Sequence, residues 1–296
     1  YELFYWDYVI GLLLFSVLSA FTLGSFGTEG RSFLADLAQA DAGNLFSAFM
    51  GGVIFNASNI LLSAAIALCG MSVAFPVGVG LALVLGVVIN YFSAAKGDPT
   101  FIFLGVLLIA AAIVMNGFAY KKAQTEKRKL TTKGILISVA GIIMAFFYRF
   151  VAASMDLNDF AAPTAGKMTP YTAVFIFAVG VFISNFLFNT VAMKRPVDGE
   201  PVRIADYFKG GLKTHMVGVL GGMIWCLGES FSMIASGKAG AAISYGLGQG
   251  ATLVSALWGI LIWKEFKGAP KISHRLNLGM FLLFLTGLGM LIYAGA

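Results

Sequence analysis

The chain has 296 residues, 59% of them hydrophobic, with 20 basic and 14 acidic side chains and a net charge of +6. Charged residues make up 11%, against about 25% in an ordinary soluble domain, and a mean hydropathy of +0.87 leaves too little polar surface to wrap the apolar volume. These figures exclude a water-soluble enzyme, a nucleic-acid-binding domain and a disordered tail.

A bilayer core about 30 Å thick needs about 20 apolar residues of helix. In chain order the runs that meet this are Leu3–Leu23, Leu45–Cys69, Ser72–Ala94, Thr100–Tyr120, Gly134–Met155, Tyr171–Met193, His215–Ala235, Ala239–Trp263 and Leu276–Ala294. They are too long and too evenly apolar for membrane strands, which alternate over about ten residues. The expected fold is therefore an all-α membrane protein with nine visible transmembrane helices. Cys69 and Cys226 each sit inside an apolar run, so neither a disulfide nor a zinc framework is indicated.

Loops rich in Lys and Arg stay in the cytoplasm. Lys121, Lys122, Lys127, Arg128, Lys129 and Lys133 follow the fourth run; Lys194, Arg195, Arg203, Lys209 and Lys213 follow the sixth; Lys264, Lys267, Lys271 and Arg275 follow the eighth. Arg31, Lys96, Arg149, Lys167 and Lys238 fall on the opposite side or in its half of the membrane. This places the Tyr1 end in the cytoplasm and Ala296 outside, in a plasma or inner membrane. The basic balance is a topology signal, and nucleic acid is not an expected partner.

Shifted by 170 positions, the chain matches itself: residues 35–84 laid on 205–254 pair Ala35 with Ala205, Asp36 with Asp206, Gly51 and Gly52 with Gly221 and Gly222, Gly70 with Gly240, Gly78 with Gly248 and Gly80 with Gly250. Equivalent helices lie five runs apart, and an odd spacing turns the second copy upside down, as in the inverted repeats of secondary transporters. The expected organisation is a first repeat over 1–120, a basic cytoplasmic linker over 121–133 and a second repeat over 134–296. The first copy shows four runs against five, and the chain does not open on methionine. A further helix before Tyr1 is expected, making ten in all.

Phe4-Tyr5-Trp6-Asp7-Tyr8 opens the first run, GLALVLGVVINYF covers Gly80 to Phe92, and GQGATLVSALWGILIWKEF covers Gly248 to Phe266. On these segments the chain resembles the drug/metabolite transporter superfamily, most closely its ureide permease and glucose/ribose porter branch, with the rhamnose–proton symporters further off. The resemblance covers essentially the whole chain. One departure is Trp263-Lys264-Glu265, where members commonly read Phe-Gly-Glu, which leaves the role of Glu265 open. The resemblance implies proton-coupled movement of a small polar solute, a ureide, nucleobase or sugar. Some relatives of this fold are called multidrug exporters, so direction does not follow from it.

Polar side chains in hydrocarbon are costly and are candidates for function, although Asn, Ser and Thr also bind helices together. Asn56 and Asn59 are three residues apart and share a helix face; their equivalents are Cys226 and Glu229, beside Trp225. Amides, a carboxyl and an indole at matching depth suit a flat, hydrogen-bonding solute. Gln249 stands between Gly248 and Gly250, with Tyr245 one turn earlier, and the equivalent stretch carries Pro76, Gly78 and Gly80. Interrupted helices at equivalent positions point to a transport site, while close packing through glycine is the competing reading. Asn56, Asn59, Trp225, Tyr245 and Gln249 are the candidate substrate-binding residues.

Low dielectric favours a neutral carboxyl, which makes Glu229 the candidate proton-coupling group. Arg149 is its candidate partner, either as a structural ion pair or as part of a switch. Asp7 and Glu265 are expected at cytoplasmic ends in solvated or gating roles. Asn185, Asn189 and Thr190 are candidates for an inner vestibule or for helix packing, and Asp156 with Asp159 reads as a solvated loop, having too few oxygens for calcium.

No phosphate-binding loop is present. A carrier driven by an ion gradient is thus expected, with no cofactor and no ATP site. Dispersed single polar residues argue against a channel. His215 and His274 lie in different loops without a nucleophile, which argues against an intramembrane enzyme. The lipid bilayer and a small polar solute are the expected partners.

Overall fold

The structure, a computed structural model, describes the chain apart from residues 27–29, 124–128, 198 and 296 and the side chains of residues 129–134. Lys127, Arg128, the Lys129 and Lys133 side chains, much of the linker 121–133 and Ala296 therefore lie outside the described residues. The described residues form helices α1 Glu2–Phe21, α2 Phe33–Gln39, α3 Ala42–Cys69 and α4 Met71–Ala74, a π-helical turn Phe75–Val79, and α5 Gly80–Ser93. They continue as α6 Pro99–Ala123, α7 Lys129–Ser154, α8 Pro170–Lys194, α9 Ile204–Tyr207 and α10 Leu212–Ala239. The last three are α11 Ala241–Gly248, α12 Ala251–Leu261 and α13 Lys271–Ala294. Apart from one β-bridge between Met155 and Met168, no extended pairing occurs among the described residues.

Eight helices in the described residues are long and apolar enough to cross a bilayer, counting α4, the π turn and α5 as the single run Met71–Ser93. The run expected over Ala239–Trp263 is split into α11 and α12 at Gln249 and Gly250. At 1.5 Å per residue neither piece alone spans the hydrocarbon. Rows of exposed Leu, Ile, Phe and Met along α10 and α13, such as Leu220, Ile224, Phe231, Leu278, Leu282 and Leu285, have lipid as their natural solvent. The chain is an integral multi-pass membrane protein.

Element bounds repeat as the residues do. A shift of 170 carries α3, Ala42–Cys69, onto α10, Leu212–Ala239. Each helix stops at a glycine in the left-handed region, Gly70 at φ 83° and Gly240 at φ 83°, where any side chain would be strained. The same shift sets the π turn against the break at Gln249 and Gly250.

The chain divides into two compact units. One comprises Tyr1–Ile60 with Phe147–Ala241, the other Leu61–Phe146 with Ala242–Ala296. Each joins segments distant in the sequence, and α3 and α7 each contribute to both.

In the first unit α1 packs between α8 and α10. It runs antiparallel to α8, for Asn189 binds the Glu2 carbonyl at one end while Tyr171 lies against Gly24 at the other. With α10 it runs parallel, Asp7 meeting His215 and Gly11 meeting Val219. Glycine makes the approach possible: a Cβ at Gly11 would lie 1.9 Å from the Val219 carbonyl oxygen, and one at Gly222 1.9 Å from that of Tyr8. Small residues that let backbones touch are the usual means of helix association in lipid.

In the second unit α6 and α13 pair antiparallel, Phe101 against Tyr293 at one end and Met115 against Gly279 at the other. The run α4–π–α5 lies antiparallel to α11 and α12, with Ser72 beside Gly259 and Gly86 beside Tyr245.

Candidate functional site

In the first unit the Tyr5 hydroxyl donates to Asn56 Oδ1 at 2.9 Å, and Asn56 Nδ2 donates to the Ser184 hydroxyl at 2.9 Å. Asn59 Nδ2 donates to the Tyr5 oxygen at 3.1 Å and also bonds Tyr8. Asn56 is fully buried with both amide atoms engaged, whereas Asn59 is half-buried. Beside them Trp225 packs on Phe55, ring centroids 4.4 Å apart at 30°, on Phe177 at 6.1 Å and 23°, and edge-on to Tyr8 at 6.4 Å. Phe55 and Trp225 occupy equivalent positions in the two repeats, 170 residues apart.

Glu229 follows Trp225 by one turn of α10. Its Oε1 is buried without a hydrogen-bond partner among the described residues. Arg149 is exposed on α7. No ion pair joins Arg149 to Glu229 among the described residues. Asn185 on α8 is fully buried with neither amide atom partnered, and the Asn189 amide donates to the Glu2 carbonyl at 2.9 Å. Unpartnered buried polar atoms are rare in folded proteins, and among the described residues Glu229 Oε1 and the Asn185 amide share that condition with Asn189 Oδ1, the Thr252 and Ser273 hydroxyls and Asn277 Nδ2.

Tyr245 and Gln249 belong to the second unit. Tyr245 is fully buried, its hydroxyl donates to the Ala82 carbonyl at 3.1 Å, and its ring fills the space that a Cβ at Gly86 would take. Its described contacts lock α11 to α5. Gln249, half-buried, closes the last turn of α11 through its N–H to the Tyr245 carbonyl, and its own carbonyl takes the Thr252 N–H to start α12.

The equivalent π turn has a covalent cause. Pro76 has no N–H to give the Ser72 carbonyl, and Asn116 Nδ2 on α6 donates there instead, at 3.2 Å. The two interrupted runs pack against each other within this unit. Glu265, expected in a solvated or gating role, caps α4: it accepts the Met71 and Ser72 N–H groups at 2.9 and 2.8 Å and the Ser72 hydroxyl.

Asp7, expected where water reaches it, is 2% exposed. Tyr207 and His215 surround its carboxylate, a grouping that no spacing rule reveals because the partners are 200 and 208 residues away. Asp156 and Asp159 spend their oxygens on loop N–H groups, Asp156 on Asn158 and Thr164, Asp159 on Ala161 and Ala162. Among the described residues no group of three or more His, Cys, Asp or Glu could hold a metal ion.

The model of the ureide permease family matches residues 4–135 and 119–294. The chain belongs to the ureide permease family. Ureide permease 1 of Arabidopsis thaliana is 23% identical over 342 residues, covering 97% of this chain and 87% of that one. Ureide permease 2 of the same plant is 23% identical over 350 residues, at 97% and 88% coverage. A probable glucose uptake protein of Priestia megaterium is 26% identical over 232 residues, at 74% and 69% coverage. These relatives are named as permeases and an uptake protein, and the family member described here is a membrane transporter rather than an enzyme.

Proposed function

We propose that the chain is a secondary active transporter of the drug/metabolite transporter fold, moving a small polar solute by alternating access at the expense of a proton gradient. The solute class is that named by its relatives, a ureide or a sugar, with a nucleobase as the chemical neighbour of a ureide. Its repeats are 1–120 and 134–296 joined by the basic segment 121–133, it crosses the plasma or inner membrane nine times with α11 and α12 forming the eighth crossing in chain order, and Tyr1 begins in the cytoplasm. Support for inversion comes from helices at equivalent repeat positions: α1 and α8 run antiparallel, as do α6 and α13, and α4–π–α5 and α11–α12. Equivalent helices of copies in the same orientation would run parallel.

The observation that carries the reading is Glu229. A half-buried glutamate with one buried, unpartnered carboxyl oxygen lies one turn from an indole, in a unit that also offers the half-buried Asn59 amide. Within the first unit Trp225 supplies the plate for a planar solute, Asn59 and Asn56 the amides and Glu229 the proton; within the second unit, taken by itself, Gln249 and Tyr245 supply the polar groups of the interrupted helix. Arg149, exposed on α7, serves as counter-charge when Glu229 is ionised.

The test is thermal stabilisation of purified protein by allantoin, uracil, xanthine, ribose, glucose and rhamnose. A ligand at 100 times its dissociation constant stabilises by about 2.7 kcal/mol, which raises the melting point by about 5 °C in a chain of this size. Stabilisation that persists in Trp225→Leu and Glu229→Gln alike refutes the assignment of the site.

A further inference from the structure

Three ionisable side chains of the first unit meet at the start of α1 and α10 and take no part in the proposed solute site. His215 Nδ1 lies 2.9 Å from Asp7 Oδ2 and 3.0 Å from Oδ1, and the Tyr207 hydroxyl donates to Oδ1 at 2.5 Å. The Asp7 side chain is 4% exposed and that of His215 23%, so a buried carboxylate backs a partly exposed imidazole. An ionised carboxylate only accepts, so Nδ1 carries the hydrogen and Nε2 is left as the exchangeable position.

Two glycines clear the space. A Cβ at Gly218 would lie 2.5 Å from that of Asp7, and one at Gly210 would lie 2.7 Å from His215 Nε2. The Tyr207 ring also packs edge-on against the imidazole, centroids 4.5 Å apart.

Among the described residues no further ion pair is made to Asp7 or His215. From α8, Met193 accepts the Trp6 indole N–H at 3.4 Å and Asn189 binds the Glu2 carbonyl. The Glu2 carboxylate pairs with the amino terminus at 3.1 Å, and Asp206 on α9 pairs with Lys209 and Arg203. No ion pair from Lys194, Lys213, Lys209 or Arg203 reaches Asp7. As a stabiliser alone, a buried ion pair at best offsets its own desolvation, whereas an imidazole changes charge in the physiological range.

We propose that Asp7 and His215, with Tyr207 fixing the carboxylate, form a second proton-binding site, open to the cytoplasm and separate from Glu229. Nε2 binds a proton to give an imidazolium paired with Asp7 and returns it to water as neutral imidazole; no other bond changes. This rests on the proton-coupled reading and on the orientation proposed above, and it assigns the cytoplasmic step of the cycle to this pair.

The chain has two histidines, so 15N-histidine labelling in the His274→Gln variant leaves one imidazole to follow by NMR in nanodiscs. Its resonances should respond to pH in the physiological range, and that response should change in Asp7→Asn. In proteoliposomes, initial uptake of labelled allantoin or uracil should fall as the interior is acidified at fixed external pH. His215→Gln should lose that dependence and keep the response to external pH; His274→Gln should behave as wild type. An imidazole that binds no proton in that range, or a His215→Gln protein with the wild-type internal-pH profile, overturns the proposal alone. Wild-type uptake indifferent to pH on both sides overturns it together with the proton-coupled reading.

Discussion

Trp225 and Glu229 concentrate the residue-scale argument. Phe55, Phe177 and Tyr8 hold the indole on three sides, so a solute that stacks there exchanges protein rings for its own face. Aromatic pairing is worth about 0.5–1.5 kcal/mol beyond area burial. Trp225→Leu should therefore weaken solute binding about tenfold, read by calorimetry, while Gln249→Ala should raise the apparent constant without changing the response to pH. Glu229→Gln should abolish accumulation against a gradient while exchange of labelled solute continues; proton-driven accumulation at the wild-type level removes Glu229 from the mechanism. At the surface, two hydrogen bonds from Thr164 hold the Asp156 carboxyl down at about 2 from its ordinary 3.8. A depressed carboxylate stabilises above its unfolded titration point and loses that contribution as pH falls through the folded one. The window is thus between about pH 4 and 2, and Thr164→Val should narrow it in a melting-temperature profile. Asn56 and Asn59 were legible from their three-residue spacing, but Tyr5 and Ser184, which engage Asn56, sit 51 and 128 positions away. No local period announces such partners, which is also why the Asp7–His215 pair escaped the sequence.

Helices gave clear signals at the level of elements because hydrocarbon demands long apolar runs and internal backbone pairing. Where local chemistry broke the pattern, the break was legible too: Gly248-Gln249-Gly250 marks the division between α11 and α12, and Pro76 marks the π turn. What local reading missed was the effect on length, since the same glycines that flag an interruption leave pieces of 8 and 11 residues. Glycine has a second use between elements. Gly222→Ala puts a methyl 1.9 Å from the Tyr8 carbonyl oxygen and should force α1 from α10, with a melting loss well beyond the usual effect of about 1 kcal/mol for a point change. Gly221→Ala next to it meets open space and should melt as wild type.

For the whole molecule, the sequence carries a 170-residue echo of glycines and one Ala-Asp pair, and the bounds of α3 and α10 match at the same shift. The make-up of the compact units was not visible, because each joins segments far apart in the chain and composition is nearly uniform along it. Charge supplies the remaining coordinate. In a protein stripped of Cys69 and Cys226, a cysteine at Lys209 should react with an impermeant maleimide only from the cytoplasmic side, and one at Asp159 only from outside. The reverse pattern inverts the topology.

The Asn116 amide that serves the Ser72 carbonyl has an evolutionary corollary. Asparagine is tolerable in that dry setting because the imino acid four positions beyond Ser72 leaves an acceptor idle, so the two sites are epistatic. Replacing Pro76 by alanine restores a competing donor, and the Asn116 amide then keeps its bond to Asn277 Oδ1 at 3.3 Å, so its loss costs less than in the native chain. Homologous carriers should keep or discard the two together, and a double-substitution cycle should be strongly non-additive.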